Sequence, residues 1–352
     1  MSKLAPTLVF VALVSTIYFG MNWYVLGRLL TLFGYARRTW GFYAALVPIS
    51  LSFVLALSLE SRYSNWATEG FFTVALVWLG VCGLLLWLLL VQQGLGWIIP
   101  LSPRIWALAV CAAATGLALY SGINAHTLTV RREQIPGLPI RVVHLSDIHI
   151  GSIGPDLLGA MIEATNDLHP DLVLITGDLF DNANAETRAI APALRQLAAP
   201  TLFTSGNHED YVGYDQVREM LATTSVRWLR NEIIETQGVT VLGLDNRYGT
   251  ELLERHLPDL ARATTYTILM NHQPRGVDLA ARHRVGLMLS GHVHNGQIWP
   301  FNYIVGLFYS YLKGLHRIEN TYLNVSTGTG VWGPPMRLGS HSEIVLLEPP
   351  TR

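Results

Sequence analysis

The feature that most constrains this chain is the near absence of charge in its first third. Residues 1–123 carry six basic side chains (Lys3, Arg28, Arg37, Arg38, Arg62 and Arg104) and two acidic ones (Glu60 and Glu69). The remainder holds 18 basic and 23 acidic residues. So few charges cannot make an ordinary water-facing surface over that length. Four stretches run uncharged: Leu4–Gly27, Thr39–Leu59, Phe71–Val91 and Ile105–Ala125. Each reaches the roughly 20 apolar residues that a bilayer-spanning helix needs. A buried helical core is the competing reading, and it fails because nothing amphipathic remains to cover such a core. Trp23, Tyr24, Trp40, Tyr43 and Trp97 lie near the ends of these runs, where interfacial anchors tend to sit. No A-x-A-like cleavage site follows the first run and three further runs do, so it is expected to be a retained helix rather than a signal peptide.

The break in composition falls near Ser121–Ala125. The chain is therefore expected to divide into a four-helix transmembrane region, residues 1–125, and a water-soluble domain, residues 126–352. The short first loop holds Arg37 and Arg38 with Arg28 close by, and basic short loops favour the cytoplasmic side. Four spans would then leave the domain outside the cytoplasm, periplasmic if the source is bacterial. Arg131 and Arg132 argue the other way, but they fall in the expected first strand of the domain. The two cysteines, Cys82 and Cys111, both lie in apolar runs. A cysteine-based zinc site is excluded. The net charge of −1 argues against a nucleic-acid partner, which would call for a basic stripe.

The second part reads as α/β. Apolar runs recur at Arg141–Leu145, Leu172–Thr176, Thr201–Thr204, Val239–Leu244, Tyr266–Met270, Gly286–Leu289, Asn320–Val325 and Glu343–Leu347, with helical patterns at Asp156–Leu168, Glu186–Leu197 and Tyr214–Thr223. Alternation of strand and helix predicts crossover units around a buried sheet. Five of these strands run into polar residues with ligand chemistry. The first leads to Asp147-Ile148-His149, the second to Gly177-Asp178-Leu179-Phe180-Asp181 and the third to Gly206-Asn207-His208-Glu209. Two later ones lead to His272 and to Gly291-His292-Val293-His294. In α/β folds ligands bind beyond the carboxyl ends of the strands. These groups can therefore converge although they are distant in sequence.

Carboxylate oxygens, an amide oxygen and imidazoles are ligands for Mn, Fe or Zn. Asp147, His149, Asp178, Asn207, His272, His292 and His294 are too many for one ion, since a catalytic zinc usually takes about three protein ligands. The set suits two divalent ions sharing a carboxylate, an arrangement that clamps a phosphoryl group and activates water at neutral pH. Taken singly, each piece has an ordinary reading as a helix cap or turn. In this order, each after a strand, coincidence is a poor explanation. The other histidines, His126, His144, His169, His256, His283, His316 and His341, are read as structural or surface residues.

The succession Asp-x-His, Gly-Asp-x-x-Asp, Gly-Asn-His-Glu, His, Gly-His-x-His resembles the calcineurin-like metallophosphoesterase superfamily over roughly residues 138–350. The resemblance implies two β-sheets packed face to face and flanked by helices, an αββα domain. It implies one metal held by Asp147, His149 and His294, another held by Asn207, His272 and His292, and Asp178 bridging both. It implies that His208 acts near the leaving group as a proton donor or charge stabiliser, with Asp181 and Glu209 orienting ligands. Asn295-Gly296-Gln297 and the stretch from Asn324 through Leu338 resemble a membrane-associated bacterial branch in which the first of these residues is Gly; some members act on lipid-linked substrates with a pyrophosphate bond.

The aromatic segment from Trp299 to Tyr309 follows the last motif directly. It reads either as a loop packed on the core or as a lip at the membrane interface that presents a lipid-borne phosphate. The expected function is a membrane-anchored hydrolase of a phosphodiester or pyrophosphate bond, acting on a phosphorylated small molecule or lipid. The competing reading is a membrane protein whose metallophosphoesterase-like domain binds or senses a phosphorylated ligand without turnover. A transporter is disfavoured, because the apolar stretches hold almost no ionisable residue of the kind that marks transport pathways.

Overall fold

The computed structural model describes residues 4–36, 39–63, 66–246 and 250–350, with side chains of residues 4–11, 60–62 and 66 left aside. The chain separates into two compact units, one comprising Met1–Gly122 with Gly333–Met336 and the other Ile123–Trp332 with Arg337–Arg352.

The first unit is built on four helices, α1 (Leu4–Phe33), α2 (Trp40–Tyr63), α3 (Trp66–Leu95) and α4 (Pro103–Ala125), the last three residues of α4 falling in the second unit. Among the described residues three segments are long and apolar enough to cross a membrane: Trp40–Leu59, Ala67–Leu95 and Pro103–Ala125. The fourth expected span, Leu4–Gly27, lies partly outside the described side chains. That stretch is helical, and the remainder of α1 is interrupted by Ser15, Thr16, Asn22 and Arg28. Some polar groups of one helix in the unit bond to those of another, as polar side chains between membrane helices do. Trp78 Nε1 donates to Asn22 Oδ1 at 2.8 Å and Arg28 Nη2 donates to Gln92 Oε1 at 3.1 Å.

The second unit carries β1 (Leu128–Gln134), β2 (Val142–Leu145), α5 (Pro155–Asp167), β3 (Leu172–Thr176), α6 (Ala185–Ile190), β4 (Thr201–Thr204), α7 (Asn207–Val212), α8 (Tyr214–Leu221), β5 (Val226–Trp228), β6 (Glu232–Thr236), β7 (Val239–Gly243), α9 (Glu251–Leu260), β8 (Tyr266–Met270), α10 (Val277–Arg282), β9 (Leu287–Ser290), α11 (Phe301–Val305), β10 (Gly314–Ile318), β11 (Thr321–Val325) and β12 (Ser342–Glu348). The strands form two six-stranded sheets, ordered β1-β12-β2-β3-β4-β5 and β10-β11-β9-β8-β7-β6. The centres of both are parallel: β2 with β3 with β4, and β7 with β8 with β9.

Strand alternation decides the layers. Val142, Leu172, Leu174 and Leu202 of the first sheet meet Val241, Ile268, Met270 and Leu289 of the second in a core between the sheets. Their neighbours point outward. Val143, Val173 and Phe203 pack under Leu158, Met161 and Met220 of α5 and α8. Leu242, Leu269 and Met288 pack under Leu253, Leu257 and Ala280 of α9 and α10. Strands buried on both faces read as continuous apolar runs, which is why they were visible in the sequence. The result is the expected αββα arrangement.

Candidate metal centre

Each motif follows the carboxyl end of a strand: Asp147 and His149 after β2, Asp178 after β3, Asn207 and His208 after β4, His272 after β8, and His292 and His294 after β9. Backbone bonds lock these turns together. Asp147 N donates to Gly177 O at 3.0 Å, and His149 N to Asp178 O at 3.0 Å. The two sheets are joined at this edge by His292 N, which donates to the Asp147 carboxylate at 3.0 and 3.1 Å.

The local backbone is unusual. Asp147, His149, Asp178, His292 and His294 all have φ between 46° and 70°. Non-glycine residues rarely adopt this left-handed region, and such conformations cluster where function demands them. Two glycines make the approach possible. A Cβ on Gly206 would lie 2.1 Å from Asp178 Oδ1, and one on Gly291 would lie 2.1 Å from Asp147 Oδ2.

Two sets of donor atoms converge. In the first, His294 Nε2 lies 3.3 Å from Asp147 Oδ1 and 3.3 Å from His149 Nε2. In the second, His272 Nε2 lies 3.3 Å from Asp178 Oδ2, 3.2 Å from Asn207 Oδ1 and 3.2 Å from His292 Nδ1. The groups Asp147–His149–His294 and Asp178–His272–His292 each bring one ligand atom per residue within 4.8 Å of one another. Imidazole nitrogens that face each other at such spacing in a buried site cannot both carry protons without clashing, and two opposed lone pairs repel. Either one N–H between the two rings or a shared cation resolves this. The nitrogen and oxygen donors, with no thiolate, suit divalent Mn, Fe or Zn. The residues present therefore fit a pair of divalent metals, and the seven expected side chains are all at this edge of the sheets.

The supporting groups set tautomers and orientation, which metal sites depend on as much as on the ligands themselves. Asp181 Oδ1 accepts from His149 Nδ1 at 2.6 Å and from His208 Nδ1 at 2.7 Å, while Ser152 Oγ donates to its other oxygen. His149, Asp181 and His208 also form a third possible metal grouping, but Asp181 already accepts from both rings, so orientation is the simpler role. His272 Nδ1 donates to Thr176 O at 2.8 Å, which leaves Nε2 free to face the other donors. The buried Glu209 carboxylate accepts four backbone N–H groups, from Asp178, Leu179, Phe180 and Gly206. It thereby fixes the turn that carries Asp178. His208 N donates to Asp178 Oδ1 at 2.9 Å, and His208 Nε2 is 4.0 Å from Asp178 Oδ2.

Sequence reasoning missed Arg337. Its fully buried guanidinium donates to Gly330 O at 2.6 Å and Thr327 O at 2.8 Å and lies 3.2 Å from His294 Nδ1. Gly330 N in turn donates to Asp147 O at 2.9 Å. Arg337 thus connects His294 with the loop that supports Asp147. A lone arginine after two prolines carries no spacing signal that would have revealed this. Asn295, where the resembling branch has glycine, sits at φ 50°, a conformation that asparagine tolerates better than most residues, and its Nδ2 donates to Gly339 O at 2.9 Å.

Burial and charge pull the acidities apart. Burial would raise Asp178, but His272, His208 and His149 outweigh it and bring the carboxyl down to about 2. Asp147 is held well below the usual carboxylate range despite burial, by His294, His272 and His149. Burial would depress His149, but Asp181, with Asp178 and Asp147 behind it, raises it to about 9. His272 is likewise raised to about 10, burial being overcome by Asp178 and Asp147. Burial and the neighbouring His272 push His292 down to about 4. Burial and the Asp178 charge push Glu209 up to about 7, against the pull of its backbone donors.

The family model of the calcineurin-like phosphoesterases matches residues 140–296. The chain is 34% identical over 219 residues to a metallophosphoesterase of Helicobacter pylori, covering 59% of each chain. It is 34% identical over 232 residues to a transmembrane protein with metallophosphoesterase domain from Bos taurus, covering 59% of this chain and 52% of that one. It is 32% identical over 249 residues to a metallophosphoesterase of Aquifex aeolicus, covering 66% of this chain and 95% of that one. The chain spans between about half and two thirds of the length of most of the curated relatives it matches. It belongs to the metallophosphoesterase family. That membership and the fold support phosphoester hydrolase chemistry, and the apolar helices with the transmembrane relative support membrane association.

The raised histidines give a stability test that does not depend on turnover. A group whose pKa is raised on folding stabilises the fold below its unfolded value, near 6.5 for imidazole, and that contribution is lost as pH rises through the folded value. The metal-free protein is therefore expected to lose stability between pH ~6.5 and the values of about 9 and 10 set by His149 and His272. Bound divalent metal displaces those protons and should flatten the decline. Thermal unfolding of detergent-solubilised protein across this range, with and without Mn²⁺, checks it; parallel curves would contradict it.

Proposed function

We propose that this protein is a membrane-anchored phosphohydrolase with two divalent metals, Mn, Fe or Zn, that cleaves a phosphodiester or pyrophosphate bond of a lipid-linked substrate. The observation that carries this reading is the convergence of two donor sets at one edge of the sheets with His208 beside Asp178. In this reading Asp147, His149 and His294 hold one ion, Asn207, His272 and His292 the other, and Asp178 bridges them. Ions bound there would supply positive charge for the phosphoryl oxygens and lower the pKa of water toward neutrality.

The chain's own groups do the rest. Asp181 holds His208 through Nδ1, so Nε2 faces the site and can hand a proton to the departing oxygen. The oxygen of water would bond to phosphorus and shed one proton to solvent, the bond from phosphorus to the leaving alkoxide or phosphate would break, and the leaving group would take the proton of His208, which solvent then replaces. Glu209 and Arg337 keep the ligand-bearing turns from relaxing. A domain that only bound its ligand would have no use for a second imidazole fixed by Asp181 outside the ligand sets.

The lipid reading rests on two features. Only two residues separate Ala125 at the end of α4 from Leu128 at the start of β1, so chain length keeps the domain close to any membrane that α4 crosses. The segment after the last motif exposes Tyr303 (67%), Leu307 (79%) and Phe308 (70%), an aromatic and aliphatic surface suited to the interface. The proposed organisation is four spans within residues 1–125 and a catalytic domain over residues 126–352 on the outer side of a bacterial inner membrane, in keeping with Arg37 and Arg38 in the first loop.

Metal-stripped protein should hydrolyse bis(p-nitrophenyl) phosphate only after Mn²⁺, Fe²⁺ or Zn²⁺ is restored. Turnover that persists through chelation, or none with both metals bound, would reject a metal-dependent diesterase. His208→Ala should keep its metal content while kcat falls by about 10²–10⁴-fold, the usual range for a lost general acid; loss of metal would make it a ligand instead. A reporter active only outside the cytoplasm, fused after Arg352, should be active, and an inactive fusion with a cytoplasmic counterpart working would reverse the orientation.

A further inference from the structure

The loop after His272 carries a cation that the metal chemistry leaves unused. Asn271 is buried, and its Nδ2 donates to Gln273 O at 2.9 Å and to Arg275 O at 3.2 Å. Ser290 Oγ donates to Asn271 O at 2.6 Å. These bonds fix the backbone at Arg275, three positions beyond a proposed metal ligand. The Arg275 side chain is exposed, and no carboxylate pairs with it among the described residues. Its guanidinium lies over one aromatic ring, with Cζ 4.6 Å from the centroid of Tyr309.

Tyr309 is itself part of the site wall. Its ring meets His292 edge-on, with centroids 5.5 Å apart, and its hydroxyl donates to Gln273 Oε1 at 3.3 Å. Gln273 Nε2 donates to Asn246 Oδ1 at 2.9 Å. Tyr309 is therefore held on three sides: by the proposed ligand His292, by Gln273 and by the arginine. A guanidinium placed over an aromatic ring is attracted to it and keeps N–H groups available for a bidentate acceptor. The domain beyond residue 123 carries more acidic than basic side chains, 23 against 18. The Arg275 guanidinium, over the ring that meets His292, adds positive charge that attracts anions.

We propose that Arg275, held by Tyr309, is a specificity-determining residue that takes a second phosphate adjoining the one under attack, so that the site prefers pyrophosphate esters to simple diesters. This rests on the phosphohydrolase reading above and narrows it. A simple diester offers one anionic phosphate, which the metals would occupy. A pyrophosphate diester offers a neighbouring phosphate with two oxygens for the guanidinium fork.

Binding to the metal-loaded full chain in detergent tests this independently of turnover. The probes are diphenyl methylenediphosphonate, which keeps two adjacent phosphorus anions and resists hydrolysis at the bridge, and diphenyl phosphate, which keeps one. Calorimetry should show that Arg275→Met weakens the diphosphonate by about tenfold, the effect of losing a charge-assisted bidentate contact, and diphenyl phosphate by less than about twofold on the same grounds. Arg275→Lys should fall between. Metal content measured in parallel should match the parent protein. Equal weakening of both probes, or none of either, would overturn the assignment. Failure of the parent to hydrolyse any ester, with the diphosphonate preference intact and Arg275-dependent, would reject the hydrolase reading and leave the phosphate subsite standing. Hydrolysis of diesters with no diphosphonate preference would do the reverse.

Discussion

Everything at the working edge of this molecule depends on pairing buried carboxylates with buried imidazoles. Asp147, Asp178 and Glu209 are withdrawn from water together with His149, His208, His272 and His294. Charges in such a place are strongly destabilising unless matched. The match is made locally: Asp181 between His149 and His208, Asp178 against His272, and Asp147 against His294. Glu209 is matched differently, by four backbone donors, and that choice ties it to the turn bearing Asp178. Divalent metal between the donor sets would complete the balance, because it would replace protons that the imidazoles otherwise hold.

The fold makes this concentration possible. Parallel strands in both sheets end at one edge, and the core between the sheets supplies apolar burial without using polar groups. Leu172, Leu174, Ile268, Met270 and Leu289 secure the layers from within, so the turns beyond them can adopt strained backbone without unfolding the domain. Five of the expected ligands occupy left-handed φ angles. That strain is sustained by crossed backbone bonds such as His149 N to Asp178 O, and by Arg337, which bonds to the loop that holds Asp147.

The strands were legible because a strand buried on both faces has an uninterrupted apolar run, and the motifs were legible because each directly followed one. The helix expected over Glu186–Leu197 is two elements, since Pro192 turns the second half into a 3-10 helix. Helix α9 escaped notice because Pro258 lies inside it, although Leu252, Leu253, Leu257 and Leu260 form its buried face. The edge strands β6 and β10 are only half-buried and lack a clear pattern. The contacts of Arg337 with His294 and of Tyr309 with His292 were not legible for a different reason. Each residue acts through a ligand contributed by a distant segment, and one sequence holds no record of that proximity. The first apolar stretch could be read as a span from composition, but only three segments meet that standard among the described residues.

The central claim is that two metal ions sit between these donor sets. Elemental analysis of purified protein saturated with Mn²⁺ and freed of loosely held ions measures it directly. Two ions per chain, falling to one or none when Asp178 is replaced by Asn, is the expected result. A single ion in the parent, unaffected by Asp178→Asn, would contradict a shared carboxylate and with it the dinuclear site.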